Sequence, residues 1–222
     1  MIFKELWDLL EHELFLREST IELFNQYRDR DLSVDLPDAN EIRKENLWNY
    51  LNSFSENPSI LIVGEAAGPW GCRFSGVPFT GEKQFSYGHS LPFSGHRTSR
   101  DHLLLEVRKL PPYISQSAKI FWDVMKPFHP KFFIWDCVPF HPHNPEEILS
   151  IRTPTSKELD SFSGILRKIK RIIDPTYNLA LGRKAQNAFS RIGEESKYIP
   201  HPSHGGANRF RSGIEEFFNM IR

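Results

Sequence analysis

The chain has 222 residues, 39% of them hydrophobic and 13% aromatic. That is enough for one sizeable core and too little for two comfortable ones, so a single domain over residues 1–222 is expected. Lys and Arg number 28, as do Asp and Glu, for a formal net charge of zero. This excludes a general polycation, and any nucleic-acid site has to be a local patch. The two cysteines, Cys72 and Cys137, are too few for a four-thiolate zinc or iron–sulfur site and form no disulfide framework. They point to a reducing cytoplasm. No apolar run approaches about 18 residues, and the opening MIFKELWDLLEHE carries acids inside its apolar part. A soluble, unexported protein without a membrane partner is expected.

In chain order, residues 1–55 read as helical. Leu6, Leu9, Leu10 and Leu14 recur at helical spacing, as do Ile42, Leu47, Tyr50, Leu51 and Phe54 after Asn40, a candidate cap. RDRDLSVDLPDAN between them is a polar connection, read as a loop. From residue 59 the pattern changes to short apolar runs ending in Gly, Pro or His: SILIVGEAAG, KFFIWDCVPFHPH, YNLALG and KYIPHPSHGG. Continuous apolar runs separated by helical segments are the pattern of buried parallel strands. The intervening helices are SAKIFWDVM over 117–125, a segment opened by a Thr155/Glu158 capping box, RKAQNAFSRI and the terminal IEEFFNMI. The fold class that follows is α/β: a three-layer α/β/α arrangement around a roughly four-stranded parallel sheet. Residues 85–112 break the alternation and hold Tyr87, His89, His96, Arg97, Arg100 and His102. A polar-aromatic insertion of this kind reads as a substrate-binding loop, with a solvated surface excursion as the alternative.

In open parallel sheets, ligands bind beyond the carboxyl ends of the strands. Three of the four runs exit into chemically loaded segments. The first offers glycines for close backbone approach, Glu65 as a carboxylate that can orient or deprotonate water, and Phe79 as a stacking platform. It matches neither a phosphate-binding GxxxxGK[ST] loop nor GxGxxG. The second places Asp136 directly after FFIW. His141 and His143 follow at a two-residue spacing that would point them to opposite sides of an extended chain, against shared metal ligation. The last sets His201 and Ser203 in a rigid turn ahead of Asn208, Arg209 and Arg211, suited to gripping an anion.

Together these residues resemble the uracil-DNA glycosylase superfamily. GEAAG at 64–68 is similar to the GEAPG first motif of the family 4 type, GVPFT at 76–80 carries the phenylalanine expected after it, and HPS at 201–203 matches the last motif. RKENLWNYL at 43–51, WDCVPFHPH at 135–143 and IRTPT at 151–155 are similar to segments of a less characterised bacterial branch. The resemblance implies hydrolysis of the N-glycosidic bond of a damaged base flipped out of DNA, with DNA as partner. By the family's pattern, Phe79 stacks on the base while the backbone at Glu65 and Ala66 binds its carbonyl edge. Glu65 positions water, and His201 contacts the pyrimidine O2, where charge accumulates. Ser203 grips a phosphate, and the loop over 205–211, with Gly205, Gly206, Asn208, Arg209 and Arg211, enters the minor groove. Lys83, Arg97 and Arg100 are candidates for backbone contact, giving one basic face around the pocket. A monomer is expected.

Two departures from the pattern stand out. Family 4 members hold an iron–sulfur cluster on four cysteines; two cannot, so neither cluster, metal nor other cofactor is expected. Asp136 falls where the family usually places an asparagine that reads the base edge. Uracil activity through other contacts, a shift to another base, and loss of activity with retained DNA or base binding all remain open. A small-molecule hydrolase using Glu65 with His201, or Ser203 as nucleophile, is disfavoured; no GxSxG elbow surrounds Ser203, and His201 lies only two residues from it.

Overall fold

The run ILIV fills most of β2 (Ile60–Ala66), and its first four side chains are fully buried. Every residue of β3 (Phe132–Val138) is buried as well. Strands covered on both faces need apolar residues at every position rather than alternate ones, so these segments read as continuous hydrophobic runs. In the structure, a computed structural model describing residues 2–85, 91–101, 104, 108–203 and 205–221, they pair in parallel. β5 (Tyr177–Leu181) and β6 (Lys197–Ile199) complete a four-stranded sheet in the order β3-β2-β5-β6.

The two faces of the sheet are covered by different helices. Phe132 meets Phe121 and Trp122 of α4 (Gln116–Met125), and Phe121 in turn meets Phe210 of α7 (Ala207–Met220). Phe133, one residue on and therefore on the opposite face, meets Phe3 of α1 (Ile2–Leu10) and stacks on Tyr50 of α2 (Ala39–Leu51). α5 (Ser156–Ile173) packs against α1, β3 and α6 (Arg183–Arg191). The architecture is the expected three-layer α/β/α. Tyr50 also closes the sheet edge: its hydroxyl accepts the amide of Ile134 at 2.8 Å.

Local sequence explains most boundaries. The capping box holds: Thr155 Oγ1 accepts the Glu158 amide, and the Glu158 carboxylate accepts the Thr155 amide. Ser115 caps α4 by accepting the Ala118 amide. Asn40 does not cap α2. Asp38 occupies the capping position without a side-chain bond, while the Asn40 side chain, one residue inside the helix, turns to Arg30 and Glu41. The chain after β3 does not continue as one strand. Pro139 ends the ladder, and β4 (His141–Pro142) pairs antiparallel with β1 (Leu23–Phe24), an unexpected second sheet.

The connection before α2, read as a loop, carries a buried acid. Asp35 pairs with both Arg43 and Arg73, all three side chains being fully buried. Beside them, Glu82 accepts hydrogen bonds from the amides of Thr98, Ser99 and Tyr113 and from both hydroxyls of Thr98 and Ser99. This buried network clamps α3 (Cys72–Ser75) and the described part of the insertion to the domain edge. Tyr87, His89 and His102 lie outside the described residues. No helix among the described residues is long and apolar enough to cross a membrane.

Candidate active site

β2 pairs with β5 only as far as Val63, while its pairing with β3 continues to Ala66. The sheet therefore splays between β2 and β5, where the strand order reverses, and crevices at such points receive ligands in open parallel sheets. A cavity of about 590 Å³ opens there. All four strand exits line it: Glu65 and Ala66 at the end of β2, Asp136 near the end of β3, Gly182 and Arg183 after β5, and His201 with Ser203 after β6.

The floor is built around Gly64, which lies opposite Asp136 in the β2–β3 register. A Cβ at Gly64 would stand 2.3 Å from Phe79 Cε2 and 2.5 Å from Asp136 Oδ1. No side chain fits there, so the absence of one lets the Phe79 ring and the Asp136 carboxyl sit against the strand. Phe79 adopts a left-handed backbone, φ 50°, which is costly for a bulky residue by about 1–3 kcal/mol and tends to occur where a ring has to be aimed. Its ring lies 5.1 Å from Phe121 and 5.4 Å from His201, centroid to centroid.

Asp136 is 1% exposed, and neither of its carboxylate oxygens has a hydrogen-bond partner among the described residues. Burial, reinforced by the Glu65 carboxylate, pushes its pKa up to about 7. His201 is oriented by its own turn. The Ser203 amide donates to Nδ1 at 3.1 Å, and the Ser203 hydroxyl lies 2.6 Å from the same atom. An Nδ1 that accepts from an amide carries no proton, so the ring is neutral with its proton on Nε2. Ser203 thus approaches His201 Nδ1 with both its amide and its hydroxyl. The turn tolerates only glycine at 206, where a Cβ would stand 2.1 Å from the His201 carbonyl oxygen.

Other candidates fall elsewhere. The expected minor-groove loop over 205–211 is short: Gly205 and Gly206 turn the chain, and Asn208, Arg209 and Arg211 are exposed on the first turns of α7. Lys83, Arg97 and Arg100 do not line the cavity, and Arg97 pairs with Asp101. Among the described residues, the cations that do line it are Lys109, Arg152 and Arg183; Arg152 was noted only as part of the IRTPT segment, and Lys109 and Arg183 were not singled out in the sequence. Lys109 sits 3.6 Å over the Trp70 ring. Arg152 binds both oxygens of Glu158 and the carbonyls of His143 and Glu22, so it secures the cavity wall. Gly182 at positive φ was the one available signal for the β5 exit, since a glycine ending a buried run marks a turn into a helix.

His141 and His143 are not on opposite sides. With β4 ending at Pro142, their rings face each other at 5.8 Å. Burial drives the His141 pKa down to about 3; the neutral ring bridges the carbonyls of Ala67 and Ile148 and donates to one of them. Among the described residues no three His, Cys, Asp or Glu side chains converge to hold a metal ion. Both thiols are buried, and burial raises their pKa values.

The geometry agrees with comparisons to known proteins. A solved structure of wild-type Pedobacter heparinus SMUG2 superposes with a TM-score of 0.63, covering 99% of this chain and 96% of that one at 15% sequence identity. No curated protein matches the sequence. The family profile described as the Uracil DNA glycosylase superfamily matches residues 51–221, a span that includes all four strand exits. On that match the chain belongs to the uracil DNA glycosylase superfamily.

Proposed function

We propose that the protein is a DNA glycosylase that hydrolyses the N-glycosidic bond of uracil, or a related deaminated base, after flipping the nucleotide out of DNA, as the first step of base excision repair. It would act as a cytoplasmic monomer without metal or cofactor. The observation that carries this reading is the convergence of Phe79, Asp136, Glu65 and His201 in one cavity at the point where the sheet splays.

Each residue has a role its surroundings support. Phe79, aimed by its strained backbone, stacks on the flipped base. The neutral His201 donates from Nε2 to the carbonyl oxygen on which negative charge builds as the base departs. A donor fixed beforehand by Ser203 needs no reorganisation during that step. The Glu65 carboxylate, which lines the cavity, is suited to hold the attacking water and to offset positive charge on the sugar. Asp136 takes the base edge.

The unpartnered Asp136 carboxyl favours a second reading, a shifted base preference, because an acid that carries its proton also complements the amino group and ring nitrogen of cytosine. The test is base release from single-stranded and duplex oligonucleotides carrying uracil, hypoxanthine, xanthine or unmodified cytosine. Release of uracil or a purine lactam, lost in Glu65→Gln and His201→Ala, is expected. Binding of an abasic analogue without release of any base would leave a DNA-binding protein instead.

A further inference from the structure

A carboxyl group that is almost wholly buried normally has a cation or several donors around it, because an isolated charge in a protein interior is strongly disfavoured. Asp136 has neither. Among the described residues, the titratable groups that interact with it are the Glu65 carboxylate from β2, which pushes its pKa up, and the Cys72 thiol from α3, the Tyr27 hydroxyl from the segment before α2 and the neighbouring Cys137 thiol, whose pKa values it pushes up. All are acids, and none is cationic. Gly64 leaves room for the carboxyl at the cavity floor, and Phe79 packs against the same glycine, so a ring stacked on Phe79 would bring its edge to Asp136.

We infer that Asp136 reads the base as a neutral carboxylic acid, accepting a hydrogen bond from a ring N–H through its carbonyl oxygen and donating one to the adjacent ring carbonyl through its hydroxyl. With its proton placed in this order it complements the –NH–C(=O)– edge that deamination creates, common to uracil, hypoxanthine and xanthine. A carboxylic acid carries one donor and one acceptor side by side, as an amide does. The ionised form has two acceptors, and the second would face the base carbonyl with like charge and no proton between them. The raised pKa, about 7, keeps the competent form populated at neutral pH. Base binding then takes up a proton wherever the free protein has lost it.

This inference rests on the base-excision reading for the identity of the ligand, but its test needs no catalysis. The probe is free uracil, titrated calorimetrically from pH 5.5 to 8.5 in buffers of different ionisation enthalpy, with 3-methyluracil, which lacks the ring N–H, as control. Wild-type affinity should fall roughly tenfold per pH unit above the carboxyl midpoint. Binding at pH 8 should take up close to one proton, binding at pH 5.5 almost none, and 3-methyluracil should not bind. Asp136→Asn, an amide that needs no proton, should bind uracil with no such alkaline fall; any part of the pH dependence due to His201 persists in that variant and is subtracted by it. Proton uptake is read on the wild type alone, so the inference remains testable if the variant misfolds. Absence of uptake at pH 8, an identical alkaline fall in Asp136→Asn, or no uracil binding at any pH would overturn it. Uracil binding with uptake but no base release from DNA would overturn the proposed function and leave this inference standing. Base release without uptake would do the reverse.

Discussion

Asp136 destabilises the folded chain whenever it is charged, because the unfolded chain returns it to water. Its pKa moves from an ordinary 3.8 to about 7 on folding, so the folded state binds more protons than the unfolded one between those values. Stability therefore falls as pH rises through that window, and the full penalty, on the order of 4 kcal/mol, is present above about pH 7. Asp136→Asn should accordingly raise the melting temperature at pH 8 and change it little at pH 4, measured by calorimetry; an equal effect at both would contradict the burial argument. Gly64→Ala should displace Phe79 and Asp136 together, so a loss of uracil binding of at least tenfold with the helices intact by circular dichroism is expected. Glu65, Asp136 and His201 were legible in the sequence because each is the first unusual residue after an apolar run, and Phe79 because GVPFT at 76–80 resembles the family's pattern. Lys109 and Arg183 were not, since no local pattern tells a surface cation from one brought to a cavity by the chain's path. The contact of Ser203 with His201 Nδ1 was likewise invisible, being a matter of turn geometry over three residues.

At the scale of elements, the strands were readable because burial on both faces leaves a continuous apolar signature, and α5 because its capping box is a local hydrogen-bond pair. Thr155→Ala removes that cap and should cost about 1 kcal/mol, seen as a melting-temperature loss of roughly 2–4 °C for a chain of this size. The start of α7 was not readable. Gly206 caps it without a side-chain bond, so Asn208, Arg209 and Arg211 gave no sign of being helical. Nor was the buried ionic network of Asp35, Arg43 and Arg73, whose members share no local pattern. Asp35→Asn would leave Arg43 and Arg73 buried without their shared carboxylate, a loss of about 3–5 kcal/mol expected of a broken buried pair. Since these arginines hold α3, which follows the Gly64–Gly71 stretch lining the cavity, denaturant unfolding should show that loss and uracil binding should weaken with it.

For the whole molecule, zero net charge leaves discrimination to the cavity. The basic residues are divided: Lys109, Arg152 and Arg183 at the cavity, and Arg209 and Arg211 on the adjoining first turns of α7. Arg152 is already neutralised by Glu158, which leaves Lys109 and Arg183 as the other cations among the described residues lining the cavity, and a shallow salt dependence of DNA binding is expected. The zero charge read from composition excluded a polycation; the structure adds that, of the cations the sequence nominated, Arg209 and Arg211 lie on the first turns of α7 while Lys83, Arg97 and Arg100 do not line the cavity. The central claim is that four strand exits assemble one site for releasing a lactam-edged base. It is tested most directly by single-turnover assay of a uracil-containing oligonucleotide, counting alkali-labile abasic sites formed by the wild type and by Glu65→Gln. The account predicts abasic sites with the wild type and a rate lower by about 10²–10⁴ in the variant, with DNA affinity unchanged. No abasic sites with either protein, or equal rates in both, would contradict it.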